Sequence, residues 1–175
     1  SNLTLFPKDK VFVFGLSEKA VRFRETVLSN LVMELRQQVN QERPEAVVSI
    51  EGNVPWPGEY PLSSHMGLSD LIRIAGNVSP NTDLHYVLLV RETLEGTTLS
   101  AQSFDLARDS DIQRANKFPL SSRDKIFVFD ENGDRSELLS TIMSQFKQQA
   151  SVQEPMLLAR VSGLVRSSGE YPLEA

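Results

Sequence analysis

Few side chains in this sequence are suited to chemistry. The 175 residues include two histidines, His65 and His85, and no cysteine. Such a set builds no multi-histidine or thiolate metal centre within one chain, no disulfide and no thiol nucleophile. Ser63, Ser64, His65 and Asp70 nominally supply hydroxyl, base and carboxylate. They lack the Gly-x-Ser-x-Gly elbow that exposes a nucleophile at a strand-to-helix turn. The expectation is a polar loop leading into a helix at Gly67, with no catalytic residue. Asp130-Glu131-Asn132-Gly133-Asp134 carries oxygens at alternate positions, as a calcium loop does. Arg135 stands where that loop needs glycine, and Thr141 where it needs glutamate. The segment reads as a turn that hands over to a helix N-cap, and neither metal nor cofactor is expected.

Binding is a better prospect than catalysis. Trp56 and Tyr60 flank the turn Pro55-Trp56-Pro57-Gly58. Aromatics with a flat apolar face and a polar edge suit sugar and peptide surfaces. Tyr60 has an identical counterpart in Tyr171, which also fits a structural role, whereas Ser167 aligns with Trp56. Trp56 is therefore the better candidate for a contact, and Trp56→Ala is expected to harm folding less than Gly58→Val. Arg91, ending an apolar run, completes the candidate ligand-binding set of Trp56, Tyr60 and Arg91. Lys and Arg number 18 against 23 Asp and Glu, a net charge of −5. That balance offers no sequence-independent grip on a phosphate backbone, so no nucleic-acid partner is expected. Apolar residues at 40% are enough for a packed core.

A duplicated framework positions these residues. Asp9-Lys10-Val11-Phe12-Val13-Phe14 recurs as Asp124-Lys125-Ile126-Phe127-Val128-Phe129. Gly58-Glu59-Tyr60-Pro61-Leu62 recurs as Gly169-Glu170-Tyr171-Pro172-Leu173. Pro44, Gly52 and Val54 align with Pro155, Gly163 and Val165 at the same offset as that second pair. Matched strings in the same order mark a repeat. Each copy reads strand, helix, strand and turn. Residues 11–14 and 126–129 are short apolar runs rich in β-branched and aromatic side chains, which predict central strands. Ser17 can cap a helix to about residue 40, with Val21, Leu28, Val32, Leu35 and Val39 as its apolar stripe. At ~1.5 Å per residue it would be roughly 35 Å long, so it should pack on a neighbour. Asp134 to Glu137 has capping-box spacing before a face of Leu138, Leu139, Ile142, Met143 and Phe146.

Between the two copies the pattern predicts a strand over 46–54, a break at Pro55 to Gly58 and a returning strand over 59–62. A helix over 67–75 follows, with Leu68, Leu71, Ile72 and Ala75 on one face and Gly76 as its C′ residue. Strands over 85–91 and 98–104 flank a turn at 94–97. Residues 105–115 admit one helical piece, and 124–129 close the unit. A sheet wrapped around one helix in this order is a β-grasp arrangement, so the fold class is α+β. The apolar strands at either end should not hang free: the N-terminal strand and the C-terminal hairpin should pair, with each other or across copies. No run reaches the roughly 18–20 apolar residues that span a bilayer. Asn2-Leu3-Thr4 and Asn77-Val78-Ser79 are glycosylation triplets of a kind common by chance. Ser1-Asn2 reads as an expression scar, and the chain as a piece of a longer protein.

The string from Val48 to Leu62, Val-Ser-Ile-Glu-Gly-Asn-Val-Pro-Trp-Pro-Gly-Glu-Tyr-Pro-Leu, resembles the opening of the soluble-ligand-binding β-grasp (SLBB) module. More narrowly, it resembles the repeated form of that module in bacterial outer-membrane polysaccharide export proteins. Leu68 to Gly76 is similar to that family's helix ending in alanine-glycine, Leu88 to Arg91 to its next strand, and Arg123 to Phe129 to its closing strand. The motif positions are Gly52, Pro57, Gly58, Tyr60, Pro61 and Gly76, with Gly163, Gly169, Tyr171 and Pro172 in the second copy. The resemblance divides the chain into three. Residues 1–43 are the closing strand of a preceding module plus a connector helix, and 44–130 are a complete module. Residues 131–175 are a connector helix plus the opening hairpin of a following module, so a second β-grasp module is split between the ends. It implies a non-enzymatic, periplasmic part of a protein that exports capsule, exopolysaccharide or O-antigen, at the outer membrane of a Gram-negative bacterium. The implied partners are further copies in a ring, the polysaccharide, and an inner-membrane copolymerase with tyrosine kinase activity. The alternative is a soluble β-grasp module that captures a carbohydrate or other small ligand.

Overall fold

A computed structural model of the chain describes residues 6–7, 9–15, 17–40, 45–92, 98–150 and 158–174. Its elements in order are α1 (Glu18–Gln37), β1 (Val47–Gly52), β2 (Gly58–Pro61), α2 (Leu68–Ile74), β3 (Thr82–Glu92), β4 (Leu99–Phe104), α3 (Asp109–Lys117), β5 (Lys125–Asp130), α4 (Arg135–Gln149), β6 (Leu158–Val161) and β7 (Gly169–Pro172). The fold is α+β: β2-β1-β5-β3-β4 form a mixed five-stranded sheet, and β6 and β7 form a separate hairpin. β5 lies at the centre, parallel to β1 and antiparallel to β3.

The continuous apolar runs in β3 and β5 follow from cover on both faces of the sheet. Side chains alternate across a strand. Val87, Leu89, Ile126 and Val128 point to one core with Val48, Ile50, Leu68, Leu71 and Ala75. Leu88, Val90, Phe127 and Phe129 point to a second core with Leu139, Ile142, Met143 and Phe146 of α4. Each large side chain buried in this way contributes about 1.5–3 kcal/mol. α2 starts where the Asp70 carboxylate accepts the Gly67 N–H at 3.1 Å. It stops at Gly76, whose φ of +96° suits glycine, while the Asn77 N–H returns to the Ile72 carbonyl at 2.9 Å.

The β6–β7 hairpin repeats β1–β2 residue for residue. Val47 pairs with Pro61 and Ile50 with Gly58; Leu158 pairs with Pro172 and Val161 with Gly169. The hairpin rests on α4: Leu158 and Tyr171 join the second core. Glu174, just past β7, accepts the Ser103 amide of β4 at 2.8 Å.

Two expectations need correction. Residues 9–15 form no strand, although their string nearly matches β5. β5 has a ladder partner on either side, whereas residues 9–15 have none among the described residues. They lie instead against α1, with Phe14 and Phe23 at 6.2 Å between ring centroids. Among the described residues, the expected pairing of this segment with the C-terminal hairpin of the same chain is not made. α1 ends at Gln37, and of its expected stripe only Val32 is fully buried, while Val39 is exposed. The turn at 94–97, the triplet at Asn2, Pro44 and Pro155 lie outside the described residues.

Candidate functional site

The turn between β1 and β2 gathers the most unusual chemistry. The Trp56 amide donates to the Ala75 carbonyl at 3.0 Å. Its indole covers Gly76, where a Cβ would stand 2.7 Å from the ring, so only glycine admits the tryptophan there. Arg24 of α1 also lies over the indole, its Cζ 4.0 Å from the indole centroid and 5.7 Å from that of Tyr60. Arg24 Nη2 donates to the Ile74 carbonyl at 2.6 Å and to the Tyr60 hydroxyl at 3.1 Å. The Tyr60 hydroxyl in turn donates to the Trp56 carbonyl at 2.6 Å. Burial pushes the Tyr60 phenol up, and the Arg24 cation offsets part of that rise.

This cluster holds a buried cation by π faces and carbonyl dipoles. Arg24 is 7% exposed and has no carboxylate in ion-pairing range among the described residues. Desolvation strengthens such cation–π contacts to about 2 kcal/mol. The cluster ties α1 to the hairpin tip and to the end of α2. Tyr60 is buried and its hydroxyl is fully used, so it holds the hairpin rather than facing a ligand. Tyr171 does the same in the second copy, donating to the Ser167 carbonyl at 3.1 Å. Trp56 is half-buried and keeps part of its surface open.

Arg91 lies elsewhere. Its Nε and Nη2 grip both oxygens of the fully buried Asp124 at 2.8 and 2.7 Å, and Nη2 also reaches the Pro119 carbonyl at 2.9 Å. Its guanidinium lies 5.0 Å from the Phe118 centroid. The bond to Asp124 raises the Arg91 pKa. The register sets Arg91 beside the start of β5, whereas Trp56 follows the end of β1, which pairs near the end of β5. The three candidate residues therefore do not form one site.

The nominal catalytic residues are likewise not joined. The Asp70 carboxylate serves the Gly67 amide and Arg73, which hold its pKa down, Arg73 having the larger effect. His65 is exposed and makes no hydrogen bond to either neighbouring serine among the described residues. In the calcium-like loop, Asp130 accepts from the Asn132 amide at 2.8 Å, and Asp134 caps α4 through the Ser136 amide at 2.8 Å.

Sequence reading missed Arg24 and Arg135. Arg135 pairs with the buried Asp83 and lies 5.2 to 5.9 Å from the ring centroids of Tyr86, Phe129 and Tyr171. A signal for Arg24 exists: it stands three residues after Val21 and four before Leu28, on the apolar stripe itself. An arginine there must turn inward and find partners. Comparison of the chain with protein-family models and with curated proteins returns no match.

Proposed function

We propose that this chain is a periplasmic, structural portion of a polysaccharide export protein, built from β-grasp (SLBB-like) modules that assemble with further copies into a ring around the passage. The observation that carries the reading is the repeat, in which the same strings form the same hairpin twice. The order β2-β1-β5-β3-β4, with the closing strand parallel to the first, supports the β-grasp reading of residues 44–130. The clusters at Trp56 and Arg91 tie elements together, which supports a scaffold rather than a catalyst. The partners of such a scaffold are its own copies, the polymer in transit and an inner-membrane copolymerase with kinase activity. It would sit at the periplasmic face of the outer membrane in a Gram-negative bacterium. No helix among the described residues is long and apolar enough to cross a membrane, so a helical anchor is not assigned to them.

A passage must release its cargo, so binding should be weak. The net charge of −5 further disfavours capture of acidic polymers. Calorimetry with acidic and neutral oligosaccharides should show no binding tighter than millimolar and no turnover. Sub-micromolar binding of one defined glycan would overturn the passage reading and favour a ligand-capture module.

A further inference from the structure

We propose that a long helix and the hairpin that follows it form one joint, built twice in this chain, in which an arginine seated on the hairpin tyrosine is the positioning residue and a second cation farther along the helix completes the grip. The inference follows from contacts present in both copies and does not rest on the export reading.

The residues of the joint are repeat mates. Arg24 stands 36 residues before Tyr60, and Arg135 stands the same distance before Tyr171. Arg36 stands 23 residues before Glu59, and Lys147 stands 23 before Glu170. Every one of these pairs is in contact. The Arg24 Cζ lies 5.7 Å from the Tyr60 ring centroid, and the Arg135 Cζ lies 5.9 Å from that of Tyr171. Arg36 donates to Glu59 at 2.6 Å, and Lys147 donates to Glu170. Each tyrosine is itself tethered, its hydroxyl donating to the carbonyl four residues back, that of Trp56 or Ser167. About one and two turns beyond each arginine stand apolar side chains, Leu28 and Val32 in α1, Leu139 and Met143 in α4.

The two sites share little else. Arg24 stacks on Trp56, where the second copy has Ser167, and Arg135 pairs with Asp83. What recurs is a ring under the first cation and a carboxylate under the second. Glu59 and Tyr60 are neighbours on β2, and Glu170 and Tyr171 on β7, so their side chains leave the strand on opposite faces. A helix that holds both grips the strand from its two sides, which opposes rolling of the strand. The arginine is the stronger hold. Arg24 is 7% exposed and the Arg135 side chain 13%, whereas those of Arg36 and Lys147 are 50% and 47% exposed. Desolvation strengthens a cation–π contact, while an exposed ion pair is weak and screened by salt.

In the second copy the joint has a longer reach. α4 also carries Ile142 and Phe146 into the core that holds Leu88, Phe127 and Phe129 of the five-stranded sheet. The seat of Arg135 on Tyr171 therefore sets how the β6–β7 hairpin is turned relative to that sheet. The orientation of one repeat on the next follows from the helix between them.

NMR of the full chain in a weakly aligning medium tests the joint, because residual dipolar couplings read orientation rather than stability. In the unaltered chain the amide couplings of β6–β7 and of the five-stranded sheet should fit one common frame. Tyr171→Leu keeps an apolar side chain but removes the ring. The hairpin couplings should then shrink and leave the common frame, and its ladder amides should exchange about tenfold faster or more. Tyr171→Phe keeps the ring and should keep the frame. Arg135→Met, made together with Asp83→Asn so that no carboxylate is left buried alone, should act as Tyr171→Leu does. It leaves the hairpin sequence untouched, so it decides the matter if Tyr171→Leu unfolds the hairpin. In the first copy Arg24→Met should free α1 from the frame of the sheet in the same way. Lys147→Met should loosen the hairpin less than the loss of Arg135. A hairpin that keeps the common frame without Arg135 would overturn the proposal. So would a Tyr171→Phe chain that loses the frame, or an Arg24→Met chain in which α1 stays fixed.

Discussion

Replacing Gly52 by alanine should cost far more stability than the same change at its repeat mate Gly163. Both residues have positive φ, and an alanine held there costs about 1–2 kcal/mol. At Gly163 that is the whole penalty, since the space around its Cβ position is open. At Gly52 the new methyl would stand 1.9 Å from the Val128 oxygen, 3.0 Å from the Val128 carbonyl carbon and 3.2 Å from Leu138 Cδ1. Leu138 can turn aside, but the carbonyl belongs to the central strand, held between β1 and β3. It must retreat by more than an ångström, which breaks the 2.7 Å bond from the Asn53 amide. Stranding that buried pair adds about 1–3 kcal/mol, for a total of roughly 2–5 kcal/mol. A domain of this kind has only about 5–15 kcal/mol in all. Urea unfolding of dilute protein, followed by the fluorescence of the single tryptophan near the turn, reads both variants. Equal midpoint shifts for the two, or a loss below ~1 kcal/mol for Gly52→Ala, would refute the steric argument.

Arg91→Ala should cost about 3 kcal/mol, because it leaves Asp124 buried without its cation; Arg91→Met with Asp124→Asn should recover part of that in thermal melts. Trp56→Ala should cost about 3 kcal/mol, since it strips the cover from Gly76 and the stack from Arg24. Gly58→Val, with open space at its Cβ position, should cost only ~1–2 kcal/mol, the reverse of the order read from the repeat. Burial pushes the Tyr86 phenol up to about 12 from its ordinary 10.0, against the pull of Arg135. This folded pKa is raised, so its contribution is complete below pH 10 and is lost as pH rises toward 12. Up to ~2 kcal/mol should disappear across that window, and Tyr86→Phe should flatten the decline; an unchanged slope would refute the assignment.

The contrast between residues 9–14 and β5 explains what could be read from the sequence and what could not. Ile126 to Phe129 was legible as a central strand because an unbroken apolar run needs cover on both faces, and α2 on one face and α4 on the other supply it. The nearly identical earlier string has the same intrinsic preference but no ladder, since strand formation depends on neighbours that no local pattern records. Helix starts at Ser17 and Asp134, and the stop at Gly76, were legible because caps are local chemistry. Arg24 and Arg135 were not, because their partners lie far along the chain: Tyr60 is 36 residues from Arg24, and Asp83 is 52 from Arg135. Arg91 looks like a ligand-binding residue in the sequence for the same reason, since its partner Asp124 is 33 residues away.

α4 lies in sequence between β5 and the second copy of the hairpin, and its apolar side is the outer wall of the five-stranded sheet. The same helix holds Tyr171 and Leu158 of the next hairpin. The boundary of the repeat in sequence is therefore not a boundary in energy. Pulling on the hairpin loads α4, and α4 cannot lift without baring Phe127, Phe129 and Leu88. The hairpin, α4 and the sheet should therefore open together rather than one at a time. Tension applied along such a chain is carried through its hydrophobic cores and not only through its connecting loops.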